Sequence, residues 1–180
     1  MQPILESSDW ILEGATKDGP TIDATWTPTN CLIDGVHVHE VRNVPKHRGH
    51  LAEILRAEWL GNNRTVDQIF QSVLEAGTVT AWHAHAHTTD RLFVSYGMAR
   101  IVLYDARPGS PTHGLINEFT FGLLRPALLV VPPRIWHGVQ ALGPSPLILL
   151  NLVDVAYDYD CPDHWRVPNG SPTIPYVFAY

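Results

Sequence analysis

Short apolar runs punctuated by turn residues set the first limit on what this chain can fold into. From Cys31 onward it offers CLIDGVHVHEVRNV, VDQIFQSVLE, RLFVSYG, ARIVLYDAR, LINEFTFGLLRPALLVVPP, IWHGVQAL and PLILLNLVDVAY, at roughly ten-residue spacing. The first alternates apolar and polar residues, as a half-buried strand does. RGHLAEILRAEWL fits a helix or a strand on pattern alone and is assigned as strand because its neighbours are strands. No stretch makes a convincing amphipathic helix. Fifteen prolines and thirteen glycines suit short strands joined by turns better than a helical bundle. The expectation is an all-β, antiparallel β-sandwich or jelly-roll barrel over residues 31–180, a single domain preceded by an irregular extension over residues 1–30. Asn62–Asn63 reads as a turn. RPGSPTHG reads as a loop in which Asp105, Arg107, Ser110 and Thr112 play a structural part. The tail from Asp158, rich in Pro, Asp and Gly, is expected to wrap the barrel mouth.

Charge and composition exclude some functions. A formal net charge of −6 without a Lys/Arg cluster disfavours nucleic acid as a partner, while leaving room for one anionic ligand held by a few arginines. Cys31 and Cys161 lack CxxC spacing and a third partner, so two reduced thiols are expected. The segment MQPILESSDW has neither a basic n-region nor an apolar h-region, and no apolar run approaches the length of a bilayer span. These features predict a soluble cytoplasmic protein with no membrane partner.

The chemistry concentrates in GTVTAWHAHAHTTDRLFVSYG, Gly77 to Gly97. Side chains at alternate positions of a strand leave the same face, so His83, His85 and His87 point one way. On an inward barrel face they line a polar pocket, with His87 at its mouth or in solvent. Trp59, Trp82 and Trp136 read as core or pocket wall, and His37 and His39 as structural. The spacing of Gly77, His83, His85, Asp90 and Gly97 resembles the first cupin motif, with Asp for Glu. Pro132 to His137 resembles the second, with Arg134 at its glycine. The resemblance implies a cupin-like jelly roll in which His83, His85, Asp90 and His137 form a 3-His-1-carboxylate set suited to Fe, Mn, Ni or Zn. A metal-free, hydrogen-bonded pocket built from the same histidines is the other reading.

A narrower resemblance rests on PTNCLIDGVHVHEV…HRGHLAEILR, DARPGSPTHG, VPPRIWHGV and YDYDCPDHWRVP, in that order. Together they are similar to the dTDP-4-dehydrorhamnose 3,5-epimerase family over about residues 32–176. That resemblance implies a homodimeric jelly roll that abstracts protons beside the 4-keto group of a nucleotide-linked sugar, with no cofactor required. Such chemistry needs a base near neutral pKa and a cation or donor beside the enolate oxygen. Carried over residue by residue, His83 is the base and Arg91 the oxyanion partner. Arg48 and Glu53 are nucleotide contacts across the dimer, His137 is the pocket histidine, and Tyr157 is the aromatic beside the sugar. The chain departs from the family pattern at three places. Thr80 replaces a diphosphate-binding arginine, Asn151 replaces the tyrosine acid, and the carboxylate that orients the base falls near Asn169. Asn cannot donate a proton as Tyr does. The reading is therefore a sugar-nucleotide epimerase or isomerase with altered chemistry or substrate. The alternatives are a metal-dependent cupin enzyme, an oxygenase or isomerase, and a non-catalytic sugar or nucleotide binder.

Overall fold

The computed structural model describes residues 10–25, 28–60 and 65–179. The chain forms two compact units, residues 1–31 and 32–180. Within the first, the described residues make turns and one isolated bridge between Ile22 and Pro28. Thr29 Oγ1 donates to the Pro20 carbonyl, and Asp23 accepts from Thr25.

The second unit is built of strands: β1 (His37–Glu40), β2 (Asn43–Lys46), β3 (Gly49–Ala52), β4 (Gln68–Leu74), β5 (Val79–Ala84), β6 (Asp90–Tyr96), β7 (Met98–Tyr104), β8 (Ile116–Gly122), β9 (Ala127–Val131), β10 (Trp136–Leu142), β11 (Leu147–Val153) and β12 (Trp165–Arg166). One five-stranded sheet has the order β1-β9-β6-β11-β4 and the other β12-β5-β10-β7-β8, with every pairing antiparallel. This is the expected cupin-like jelly roll. Among the described residues no helix is long and apolar enough to cross a membrane.

The inner faces share a core that includes Leu92, Val94, Ile101, Leu103, Phe121, Leu129 and Val139, and Leu147 seals it beside the β6–β7 corner. β6 is buried without alternation from Asp90 to Val94 because its outer face is covered too. Phe93 packs there with Val41, Leu128 and Leu152 beneath Ala52, Ile54 and Leu55. A continuous apolar run in the sequence thus marks a strand buried on both faces. Gly97 turns the corner from β6 to β7 at φ 79°, where a Cβ would lie 2.5 Å from the Pro146 carbonyl oxygen.

Two expected strands are shorter than their patterns. CLIDGVHVHEVRNV yields only β1 and β2, and RGHLAEILRAEWL yields β3 followed by a 3-10 turn at Ala57–Leu60. At the second break Arg56 forms exposed ion pairs at 2.8 Å with both Glu53 and Glu58. Asn62–Asn63 lies outside the described residues.

Candidate active site

One cavity of about 820 Å³ opens between the sheets, a size suited to a small-molecule ligand. Its apolar end is lined by Phe70, Leu74 and Leu149, and its polar end by histidines. The pairing of β5 with β10 creates that polar end, because His83 and His137, far apart in sequence, are direct cross-strand partners with ring centroids 4.3 Å apart. Gly138 allows the tight packing behind them. A Cβ there would lie 2.6 Å from that of Ala81 and 2.7 Å from the Phe178 ring.

β5 ends at Ala84, so the three alternating histidines do not share one strand. His85 still enters the cavity because the turn after it is fastened from two sides. Arg134 donates its backbone N–H to the His85 carbonyl at 2.6 Å. The Asp163 carboxylate accepts from the backbone N–H groups of Ala86, His87 and Thr88 at 2.7, 2.9 and 3.2 Å. His87 is exposed at the mouth.

Hydrogen bonds fix the tautomers of two rings. His85 Nδ1 faces the Asp163 carbonyl, and His137 Nδ1 lies 3.1 Å from the Ile135 carbonyl. A carbonyl only accepts, so both Nδ1 atoms carry a proton, and in the neutral form of each ring Nε2 presents the lone pair. Each Nε2 is 3.4 Å from Asp90 Oδ2. Asp90 is itself held by Asn151, whose Nδ2 donates to Oδ1 at 2.7 Å while its Oδ1 accepts from the Arg91 backbone at 3.1 Å. Asn151 therefore orients a carboxylate deep in the pocket.

His83 makes no side-chain hydrogen bond among the described residues, and its ring faces the cavity. Burial, then the neighbouring His137 and His164, pushes its pKa far down and keeps it neutral. Burial likewise lowers His137, against the opposing pull of Asp90, and lowers the half-exposed His164.

Arg91 does not join this group. Strand alternation sends Asp90 and Leu92 into the cavity and Arg91 to the opposite face of β6. There its Nη1 donates to the Leu152 carbonyl at 3.3 Å and its Nη2 lies 3.9 Å from Asp154, beside His37, His39 and Trp59. Arg91, the expected oxyanion partner, thus lies outside the cavity by one residue of register. Arg48 and Glu53 sit exposed, Arg48 in the tip of the β2–β3 hairpin and Glu53 just after it, away from the cavity. Tyr157 lines the cavity mouth, its backbone N–H held by Gln68 Oε1 at 2.9 Å. Asn169 touches neither His83 nor the pocket; it bonds both backbone groups of Phe178 and pins the tail.

The tail, expected to wrap the barrel mouth, supplies residues to which the motifs assign no role. β12 pairs with the end of β5, which brings Arg166 opposite His83 and puts the His164 ring 5.5 Å from His83 and 5.1 Å from His85. Arg166 is the one arginine or lysine among the described cavity-lining residues. The available signal was the polar run DHWR, which repeats the in-out alternation of a strand inside a segment otherwise read as coil.

The comparisons with known proteins agree with this architecture. The family model described as dTDP-4-dehydrorhamnose 3,5-epimerase matches residues 30–169. The probable low-salt glycan biosynthesis epimerase Agl13 of Haloferax volcanii is 32% identical over 137 residues, covering 76% of this chain and 88% of that protein. The spore coat polysaccharide biosynthesis protein SpsL of Bacillus subtilis is 32% identical over 146 residues, covering 79% and 94%. The crystal structure of a dTDP sugar isomerase from Desulfovibrio desulfuricans G20 superposes with a TM-score of 0.74 at 30% identity, covering 80% of this chain and 90% of that one.

Proposed function

This chain belongs to the dTDP-4-dehydrorhamnose 3,5-epimerase family, and from that membership we propose that it is an isomerase that inverts a carbon beside the keto group of a nucleotide-linked sugar. The observation that carries the reading is the His83 ring, which lines a ligand-sized cavity without a hydrogen-bond partner among the described residues. Burial keeps that ring unprotonated, and the negative charge of a bound diphosphate would raise its proton affinity toward the neutral range that proton abstraction needs. Removal of the sugar's proton leaves the electron pair on the substrate's own carbonyl, so the step needs no redox cofactor.

The pocket argues for altered chemistry within that class. Asn151 stands where the family's acid is expected and is committed to Asp90, so the proton returned to carbon comes from another group. Tyr157 and His164, which line the cavity, are the candidates for that donor. Arg48 and Glu53 are exposed, as contacts made to nucleotide in a second copy's pocket would require, and a homodimer is part of this proposal.

The test is exchange of solvent deuterium into C3 or C5 of a thymidine-diphosphate 4-keto-6-deoxy sugar, followed by mass spectrometry. Wild-type chain is expected to incorporate deuterium, and His83→Gln to do so about a hundredfold more slowly or worse. Binding of the nucleotide sugar without any exchange would replace this reading with a non-catalytic binder.

A further inference from the structure

We propose that His85, Asp90 and His137 form a three-ligand site for one divalent transition-metal ion, with His83 beside it and outside the ligand set. The donor atoms of these three residues lie within 4.8 Å of one another. His85 and His137 have their Nδ1 protons spent on the Asp163 and Ile135 carbonyls, so each aims an Nε2 lone pair at Asp90 Oδ2. With both rings neutral, three electron-rich atoms converge, an arrangement that calls for a positive charge at its centre.

The distances fit a metal. Each Nε2 stands 3.4 Å from Asp90 Oδ2, outside the 2.7–3.2 Å of an ordinary N–H···O bond. Donors arranged tetrahedrally around an ion with bonds of about 2.1 Å are separated by about 3.4 Å. Each ligand is also oriented from behind: His85 by Asp163, His137 by Ile135, and Asp90 by Asn151, which the Arg91 backbone holds in turn. Outer groups of this kind fix ring tautomer and carboxylate angle at metal sites. Two imidazoles and one carboxylate suit Zn, Fe, Mn or Ni, with positions left for a substrate oxygen.

His83 is left out by geometry. Its ring packs edge-on against His137 with centroids 4.3 Å apart, but it does not belong to the convergent set, and 6.4 Å separates its centroid from that of His85. The metal and the base therefore need not compete for one lone pair. A metal ion, when bound, supplies the positive charge for a developing oxyanion that Arg91, on the far face of β6, does not supply. That role rests on the epimerase reading; the site itself does not.

The experiment is inductively coupled plasma mass spectrometry on full-length chain, stripped with chelator and then dialysed separately against Zn, Mn, Fe, Ni and Co salts. Retention of about one equivalent is expected in wild type and in His83→Gln, with binding at least about tenfold weaker in Asp90→Asn and His137→Gln. The cobalt-loaded wild type gives a check that needs no variant. Its proton NMR spectrum should show two exchangeable, hyperfine-shifted imidazole N–H signals, from His85 and His137. No retained metal, a loss in His83→Gln equal to that in Asp90→Asn, or a third such signal would overturn the proposal. Deuterium exchange is scored separately. Metal binding with the expected pattern but no exchange upholds the site and removes the epimerase reading, while exchange by a chain that takes up no metal does the reverse.

Discussion

Asp105 carries a carboxylate into a position with no solvent exposure, and its neighbours decide whether the charge survives there. Burial alone would raise its pKa, but hydrogen bonds from the Arg107 side chain at 2.8 and 2.9 Å, Ser110 at 2.6 Å, Thr112 at 2.7 Å and the Arg107 backbone at 3.0 Å hold it well below the usual carboxylate range. Arg107 also donates to the Asp34 carbonyl, tying the loop to the segment before β1. A depressed folded-state pKa contributes stability above the unfolded value of about 3.9, and that stability is lost as pH falls through the folded value. The SPT loop should therefore be a site of acid weakness. Asp105→Asn is expected to cost about 2–3 kcal/mol at pH 7, with the gap to wild type narrowing below about pH 4. Urea unfolding at both pH values checks this, and a gap that stayed constant would remove the charge from the explanation. The opposite case is Arg134, a non-glycine residue at φ 68° whose exposed side chain is not needed to brace the turn. Left-handed backbone costs an L-residue about 1–2 kcal/mol, and glycine returns part of that through unfolded-chain entropy. Arg134→Gly should leave stability unchanged or raise it by up to about 1 kcal/mol while keeping the Arg134 N–H bond to His85. A fall in melting temperature would mean that the arginine side chain contributes more than its exposure suggests.

At the scale of the element, the site depends on how strands meet, and that governs how far the sequence could disclose it. That His83, His85, Asp90 and His137 share one cavity was legible from the cupin-like spacing, and His83 meets His137 because β5 and β10 pair side by side. Arg91 was not legible. Whether Asp90 or Arg91 enters the cavity depends on pleat parity, which the run DRLFVSY does not reveal because β6 is buried on both faces. The tail was legible as a wrap over the mouth, but the placement of Asp163, His164 and Arg166 in the pocket was not, for a different reason. They reach the pocket only because β12 docks on β5, a two-residue pairing without a hydrophobic period of its own. The HG dipeptide of β10 was read for its histidine, but its glycine has an equal part in the packing. The Phe178 ring occupies the space a side chain would need, and it packs in turn on Trp82. Gly138→Ala is expected to destabilise by about 1–3 kcal/mol through overpacking and to loosen the tail that carries His164. Thermal unfolding would measure the first effect, and amide hydrogen exchange over residues 163–168 the second. Faster exchange confined to that segment would tie the tail's placement to Phe178.

At the scale of the whole molecule, β4 is where the fold is unfinished. It is the edge strand of its sheet, with β11 on one side and no partner on the other among the described residues. Its inward residues Gln68, Phe70, Ser72 and Leu74 line the cavity, while Ile69 and Val73 on the outer face remain 61% and 58% exposed. The cover that buries Phe93, Leu128 and Leu152 on that face includes Leu150 of β11 but not these two residues. An apolar strip continuous with a buried cluster, beside an open strand edge, is suited to a second copy of the chain. Light scattering is expected to give twice the chain mass at micromolar concentration, and Ile69→Asp with Val73→Asp to give the single-chain mass with the far-ultraviolet β signal intact. Because Arg48 and Glu53 are assigned to a partner's nucleotide, the charged variant should also bind thymidine diphosphate at least about tenfold more weakly, although neither substituted residue faces the pocket. If the wild type ran at the single-chain mass, both the dimer and that role for Arg48 and Glu53 would fall. If the variant lost its dimer but kept its affinity, the nucleotide would be held within one chain, and Arg166 would be the cation to test next.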